Sequence, residues 1–287
     1  MVDSIRLFVT LNENYVPQLK VLLTSVAVSN PNETIDLYMM HSGIGEEKLD
    51  EIRRLCCSRG YGFYPITADP DIFKNAPVSK TYPREMYYRL LAPHLLPKEI
   101  DRVLYLDPDI LVINPLRPLW EMDLKGNLFA AAAHSWASYL AANVSRVRLG
   151  TEGQYFNSGV LLMDLEAGRK EIRPEEIFSY TRKHGKELVL PDQDVLNAMY
   201  GNRILELDDY IWNYDARRYN SYLLLSSGAA DLEWVIRNTA ILHFCGRSKP
   251  WKPGYLYRFG VLYRHYMRLE EIWESGEESS SGISRRI

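Results

Sequence analysis

The chain is short of cysteine, with three in 287 residues. Cys56 and Cys57 are adjacent and Cys245 is distant, a pattern that supports neither a disulfide framework nor a zinc finger and that suits a reducing compartment. Long apolar runs are missing as well. No window approaches the ~18 apolar residues of a membrane span, and the amino-terminal MVDSIRLFVTL has no basic segment leading into an apolar core. The expectation is a cytoplasmic chain. Neither sign of charge dominates, since 34 basic and 37 acidic residues leave a net charge of −3, which speaks against a broad nucleic-acid footprint. No GxGxxG or GxxxxGKS/T loop follows the first apolar run, so neither dinucleotide nor P-loop binding is supported. Any phosphate must be held by other means.

What is present is an ordinary globular composition, 46% hydrophobic and 25% charged, with 20 tyrosines, and enough chain for one large α/β domain or two small ones. Ile5 to Thr10 fits a buried strand and Leu11 to Tyr15 a polar turn. From Val16 to Val28 apolar residues recur at helical spacing until Asn30-Pro31-Asn32 stops them. Ile35 to Met40 gives a second strand, and Glu46 to Arg59 a second helix closed by Gly60. This β-α-β-α order predicts a mostly parallel, doubly wound sheet flanked by helices. Thr81-Tyr82-Pro83 reads as the capped start of a third helix, followed by REMYYRLLAPHLLP. Leu128 to Ala133, Arg203 to Leu207 and Ala240 to Cys245 read as strands, and Pro174 to His184 and Asp192 to Tyr200 as helices. Trp136 to Thr151 has no clear period and reads as a loop or lid.

The stretch with most chemistry in it is RVLYLDPDILV, Arg102 to Val112. Val103 to Leu106 form a run of β-formers, and Pro108 cannot continue a ladder, so the strand should end at Asp107. Two carboxylates, Asp107 and Asp109, then stand at a strand's carboxyl end, where open α/β sheets bind ligands and where paired oxygens suit a hard divalent cation. A surface turn is the plain alternative.

Other polar groups are ambiguous singly. Arg89 lies on an otherwise apolar helix and is either solvated or a buried charge in need of a partner. Asn157-Ser158-Gly159 interrupts an apolar run, where a bulge would suffice, although Gly159 permits close backbone approach. Asp192 stands where a helix N-cap is expected, with Gln193 and Asp194 in the first turn. Tyr210 to Tyr222 could be a lid, a sugar platform or simply core. His243 could ligate a metal, and Gly246 and Lys249 could receive phosphate oxygens.

Their order is more informative than any one of them. FVTLNENYVPQLKVLLTSV, YYRLLAP, RVLYLDPDILV, YFNSGVLLMDL, LPDQDVLN and HFCGRSKPW follow one another as in glycosyltransferase family 8, which the chain resembles over roughly residues 5 to 255. The resemblance implies a single Rossmann-like GT-A domain over residues 1–255. An aromatic and basic helix over residues 256–273 would pack on it, with a membrane surface as its second reading, and residues 274–287 would be a disordered tail. It implies a retaining enzyme that moves glucose or galactose from a UDP-sugar to a glycan or glycolipid hydroxyl, at the inner face of a membrane where the acceptor is a lipid.

Residue by residue, the resemblance makes Asp107, Asp109 and His243 the ligands of Mn²⁺, or of Mg²⁺ in its place. Thr10, Asn12, Asn14 and Tyr15 would meet uridine, with Asn12 where an aspartate is common. Arg89 would face the sugar nucleotide, as would Pro108 between its two aspartates. Asn157, Asp192 and Gln193 would surround the transferred hexose, and Gly246 and Lys249 the phosphates. Retention could proceed through a covalent intermediate or through same-face attack within an ion pair, the favoured route, with Gln193 beside the anomeric carbon. Two other classes stay open from the residues alone: a sugar-nucleotide nucleotidyltransferase, which would release pyrophosphate, and a non-catalytic nucleotide-sugar-binding protein, which would bind UDP without turnover.

Overall fold

The computed structural model describes residues 3–67, 70–78, 85–133, 150 and 154–276. Strand β1 (Ile5–Leu11), helix α1 (Val16–Ser29), strand β2 (Ile35–His41), helix α2 (Glu46–Ser58) and strand β3 (Gly62–Thr67) open the chain. The three strands pair in parallel. Ile5, Leu7, Phe8 and Val9 are all fully buried because helices cover both faces of the sheet, which is why this strand is a continuous apolar run and not an alternating one. The third strand was not expected from the sequence. It is an edge strand of half-buried residues with Pro65 inside it, so it carries no strong apolar signal.

Helices α3 (Glu85–Leu90) and α4 (Ala92–Leu95) lead into β4 (Arg102–Leu106), which lies parallel to β1 at the sheet's centre. The capped helix start expected at Thr81 to Pro83 lies outside the described residues, as does all of the expected lid but Gly150. After the acidic turn, Ile110–Val112 forms β5, followed by α5 (Arg117–Trp120) and β6 (Phe129–Ala132). Strand β7 (Val160–Asp164) inserts antiparallel between β4 and β6. Helices α6 (Leu165–Glu171), α7 (Pro174–His184) and α8 (Pro191–Tyr200) then bring the chain to β8 (Ile204–Leu207), parallel to β6. Among the described residues the large sheet has seven strands, in the order β3-β2-β1-β4-β7-β6-β8.

A second sheet was not foreseen. Helix α9 (Asp209–Trp212), β9 (Tyr214–Asp215), α10 (Tyr219–Leu225), α11 (Leu232–Asn238) and β10 (Ile241–His243) complete a three-stranded sheet ordered β5-β10-β9. The aromatic segment between β8 and β10 is core and not a platform: Tyr214 and Tyr222 are fully buried and stack at 4.1 Å.

The last described helix, α12 (Gly260–Ser275), begins four residues later than the expected start at residue 256. Gly254 is left-handed at φ +80°, and the Tyr255 ring packs against the bare face of Gly260, where a side chain would collide with it. Helix α12 lies across α1 and α2. Lys20 of α1, only 7% exposed, ties the three together through Glu51 at 2.8 Å, Glu270 at 3.0 Å and Glu274 at 2.7 Å. Residues 277–287, the expected tail, lie outside the described residues.

Candidate active site

The acidic turn is the place where the chain passes from one sheet to the other. Asp107 still belongs to the large sheet, its N–H donating to the Gly159 carbonyl at 2.8 Å. Asp109 already belongs to the small one, its carbonyl accepting from the Phe244 N–H at 3.0 Å. Pro108 between them can donate to neither ladder, which permits the change of sheet. Both carboxylates end up beside His243, the last residue of β10. Its Nε2 lies 3.4 Å from Asp109 Oδ1 and 3.8 Å from Asp107 Oδ2, and the three candidate ligand atoms are all within 4.8 Å of one another.

The imidazole is aimed. Its Nδ1 bonds Asn213 Oδ1 at 2.9 Å, while Asn213 Nδ2 donates to Asn157 Oδ1 at 2.9 Å. With the amide oriented this way, Nδ1 is the donor, and Nε2 faces the carboxylates. The network runs on, since Asn157 Nδ2 donates to Gln193 Oε1 at 3.0 Å. Gly159 closes the floor: a side chain there would collide with His243 Cε1 and sit 2.7 Å from Asp107 Oδ2.

Electrostatics show what a cation would find. Burial pushes the Asp109 carboxyl up, but the charges of His243 and Lys249 overcome it and hold it well below the usual carboxylate range. Burial pulls the His243 imidazole down, and Cys245 and Asp109 reverse this to hold it above its ordinary value. Lys249 Nζ pairs with Asp109 and donates to the Phe244 carbonyl at 2.9 Å. Two carboxylates and an imidazole, one of the carboxylates only 8% exposed, form a hard, mixed oxygen and nitrogen donor set around a space that Gly159 keeps clear. These residues fit a divalent cation such as Mn²⁺ or Mg²⁺.

Arg89 has its partners. Its Nη2 lies 3.0 Å from Asp107 Oδ1, and its Nη1 lies 3.1 Å from Asp192 Oδ2 and 3.1 Å from the Ser158 carbonyl. The guanidinium also covers the Tyr105 ring at 4.7 Å. Burial works against its charge, and Asp107, Tyr105 and Asp192 more than reverse this. Asp192 is not an N-cap. Leu190 occupies that position, Pro191 opens the helix, and Asp194 reaches back to the N–H groups of Val189 at 2.6 Å and Leu190 at 3.0 Å. Asp192 is thereby free to accept from Ser158 Oγ at 2.9 Å and to face Arg89.

Of the residues named from sequence, Thr10, Arg89, Asp107, Asp109, Asn157, Asp192, Gln193, His243 and Lys249 stand in one connected polar network. Thr10 joins it through Tyr105, whose hydroxyl is 3.2 Å from Thr10 Oγ1 and donates to Asp107 Oδ1 at 2.6 Å. Asn12 and Asn14 stay outside it on an exposed turn, where Asn12 Oδ1 accepts from the Asn14 N–H at 3.1 Å. Tyr15 meets Trp251 edge-on at 6.3 Å. Gly246 is exposed and left-handed at φ +80°. Sequence reasoning missed Tyr105, Ser158 and Asn213. Tyr105 is hidden in an apolar strand and Asn213 in an aromatic run, so neither carried a signal of its own.

The model of the family described as glycosyl transferase family 8 matches residues 6–253. General stress protein A of Bacillus subtilis is 28% identical over 264 residues, covering 89% of this chain and 90% of that protein. A lipopolysaccharide 1,2-glucosyltransferase of Escherichia coli is 27% identical over 251 residues, covering 85% of this chain and 72% of that one. Among solved structures, the galactosyltransferase LgtC in complex with donor and acceptor sugar analogs superposes with a TM-score of 0.76 at 24% identity, over 92% of this chain and 96% of that one. Its likeness shows the fold, a GT-A-type α/β domain with a mostly parallel central sheet. With a family match that spans nearly the whole described chain and a fold to go with it, the protein belongs to glycosyl transferase family 8.

Proposed function

We propose that the protein is a retaining, metal-dependent hexosyltransferase that moves glucose or galactose from a UDP-sugar to a hydroxyl of a glycan or glycolipid. The observation that carries this reading is the Asp107, Asp109 and His243 cluster joined, through Asn213 and Asn157, to Gln193. The relatives' names, a lipopolysaccharide glucosyltransferase and a galactosyltransferase, support hexose as the transferred group and leave both sugars open. Among the described residues no helix is long and apolar enough to cross a membrane.

In this reading Asp107, Asp109 and His243 hold Mn²⁺ or Mg²⁺, which when bound supplies Lewis-acid stabilisation to the departing diphosphate. Every other part is the chain's own. Lys249 and the Gly246 turn face the phosphates and offset the charge that grows on them as the anomeric bond breaks. Arg89 fixes the carboxylates of Asp107 and Asp192 in direction through its two pairs with them. Positive charge grows on the sugar, where the Gln193 amide oxygen stands, held by Asn157 Nδ2 at 3.0 Å and the Ser158 N–H at 3.4 Å. An amide oxygen is a poor nucleophile but a good dipole. That favours same-face attack within an ion pair, with the acceptor hydroxyl entering on the side the diphosphate leaves.

The test is titration of the protein with UDP in the presence of Mn²⁺, followed by hydrolysis of UDP-glucose and UDP-galactose. Asp109→Ala should lose metal-dependent UDP affinity by about 100-fold while keeping its circular-dichroism spectrum. Unchanged affinity in a folded Asp109→Ala protein would refute the metal assignment, and no turnover of any UDP-hexose would refute the transferase reading.

A further inference from the structure

One charged group beside the cluster has no part in the chemistry above. Asp215 closes β9 and is wholly buried, yet it spends its carboxylate on a single neighbour. It accepts from the Arg217 backbone N–H at 3.0 Å, from Arg217 Nε at 2.9 Å and from Arg217 Nη2 at 2.7 Å. This two-pronged clamp fixes the plane of the guanidinium. It leaves Nη1 with no hydrogen-bond acceptor among the described residues. The arginine side chain is 22% exposed and so open to solvent on one side.

The free nitrogen has a definite place. It lies over Gly246, where any side chain would collide with it, and Gly246 is left-handed at φ +80°. A larger residue at 246 would therefore be strained by its backbone as well as by the arginine. The Gly246 N–H also has no acceptor among the described residues. Two unengaged donors thus stand side by side on an exposed turn. The turn follows His243 by three residues, and Asp215 is the register partner of His243 across β9 and β10. Register partners on neighbouring strands lie about 4.8 Å apart and send their side chains to the same face. The clamp and the cluster's imidazole therefore share a face.

We propose that Arg217, through Nη1 and together with the Gly246 N–H, seats an oxyanion of the substrate, with Asp215 as the positioning residue that aims it. The proposal rests on the glycosyl-transfer reading and extends it to a second phosphate- or carboxylate-facing cation. Because Asp215 already neutralises the arginine, the seat supplies direction more than net charge, which is what a planar guanidinium does and an ammonium does not. The oxyanion has two sources in such a reaction, the donor's diphosphate or an acidic group on the acceptor sugar.

The experiment measures affinity for UDP and for uridine with Mn²⁺ in the wild type, Arg217→Met, Arg217→Lys and Asp215→Asn. It then measures affinity for glucose, glucuronate and glucose 6-phosphate with UDP held saturating. If the donor supplies the oxyanion, Arg217→Met weakens UDP by about tenfold to a hundredfold and leaves uridine unchanged, Arg217→Lys recovers only part of the loss, and Asp215→Asn falls between. If the acceptor supplies it, UDP is unaffected and the two acidic sugars lose their advantage over glucose in the same variants. Variants with wild-type affinity in both series, or an Arg217→Lys protein indistinguishable from the wild type, overturn the proposal and leave transfer intact. A wild type that binds no UDP overturns both. Should Arg217→Met fail to fold, Arg217→Lys decides alone.

Discussion

Single residues set how closely the site's parts approach. Gly159 is the clearest case, because the space its missing side chain leaves is filled by His243 and Asp107. Gly159→Ala should push the imidazole and carboxylate apart, costing about 1–3 kcal/mol of stability as an overpacked position does and abolishing metal-dependent UDP binding. A variant that binds metal and UDP normally would show that the floor is not tight. His41 makes a second residue-scale prediction. It is buried at the end of β2, and its Nδ1 accepts from the Ile44 N–H at 3.1 Å, so it must be neutral there. Burial lowers its pKa, against a smaller opposing effect of Glu46. Between that lowered value and the ordinary ~6.5 the unfolded chain holds the extra proton. Stability contributed by His41 is therefore present above ~6.5 and lost as pH falls through that window. Urea midpoints from pH 5 to 7.5 should fall more steeply on acidification in the wild type than in His41→Asn, whose amide oxygen can take the same N–H. Parallel curves would remove His41 as a cause. At this scale the sequence disclosed residues whose type is unusual where they stand, such as paired aspartates or a histidine at a strand's end. It concealed Tyr105 and Asn213, whose roles exist only through neighbours from distant segments.

Elements were legible in proportion to how completely they are buried. Strands β1, β2 and β4 are apolar on both faces, so each is a run that stands out from its flanks, and α1 ends where its asparagine and proline signals say. Direction was not legible: nothing in Val160 to Asp164 distinguishes a strand running antiparallel to β4 from one running with it, because pleat and burial are the same either way. Strand β9, of two residues, is too short to show any period, whereas β10 lies within the apolar stretch Ala240 to Cys245 that reads as a strand. The helices are tied by charge as well as by apolar contact, and Lys20 is the test. Its ammonium, nearly withdrawn from water, is held by carboxylates from α2 and α12. Lys20→Met would leave those carboxylates gathered with one cation fewer. A loss of about 3 kcal/mol is expected, read as a lower urea midpoint with an unchanged slope, and early loss of hydrogen-exchange protection should be confined to α12. A stability equal to the wild type would mean that apolar contact alone seats that helix.

For the whole molecule, the fold class followed from β-α alternation, and the family from six short stretches in a fixed order. What the order of motifs could not convey is that the aspartates and the histidine come from different sheets. Asp107 leaves the large sheet, Asp109 enters the small one, and His243 arrives at the far end of the chain. That crossing has a consequence for biosynthesis. Strand β5 waits for β10 as its antiparallel partner, and the cluster waits for the same strand to deliver its imidazole. A ribosome must therefore extend the polypeptide through residue 243 before the two carboxylates and the imidazole can meet. A product that stops short of residue 243 carries the acidic turn without its imidazole, so the small sheet and the donor set are completed in one event, the docking of β10.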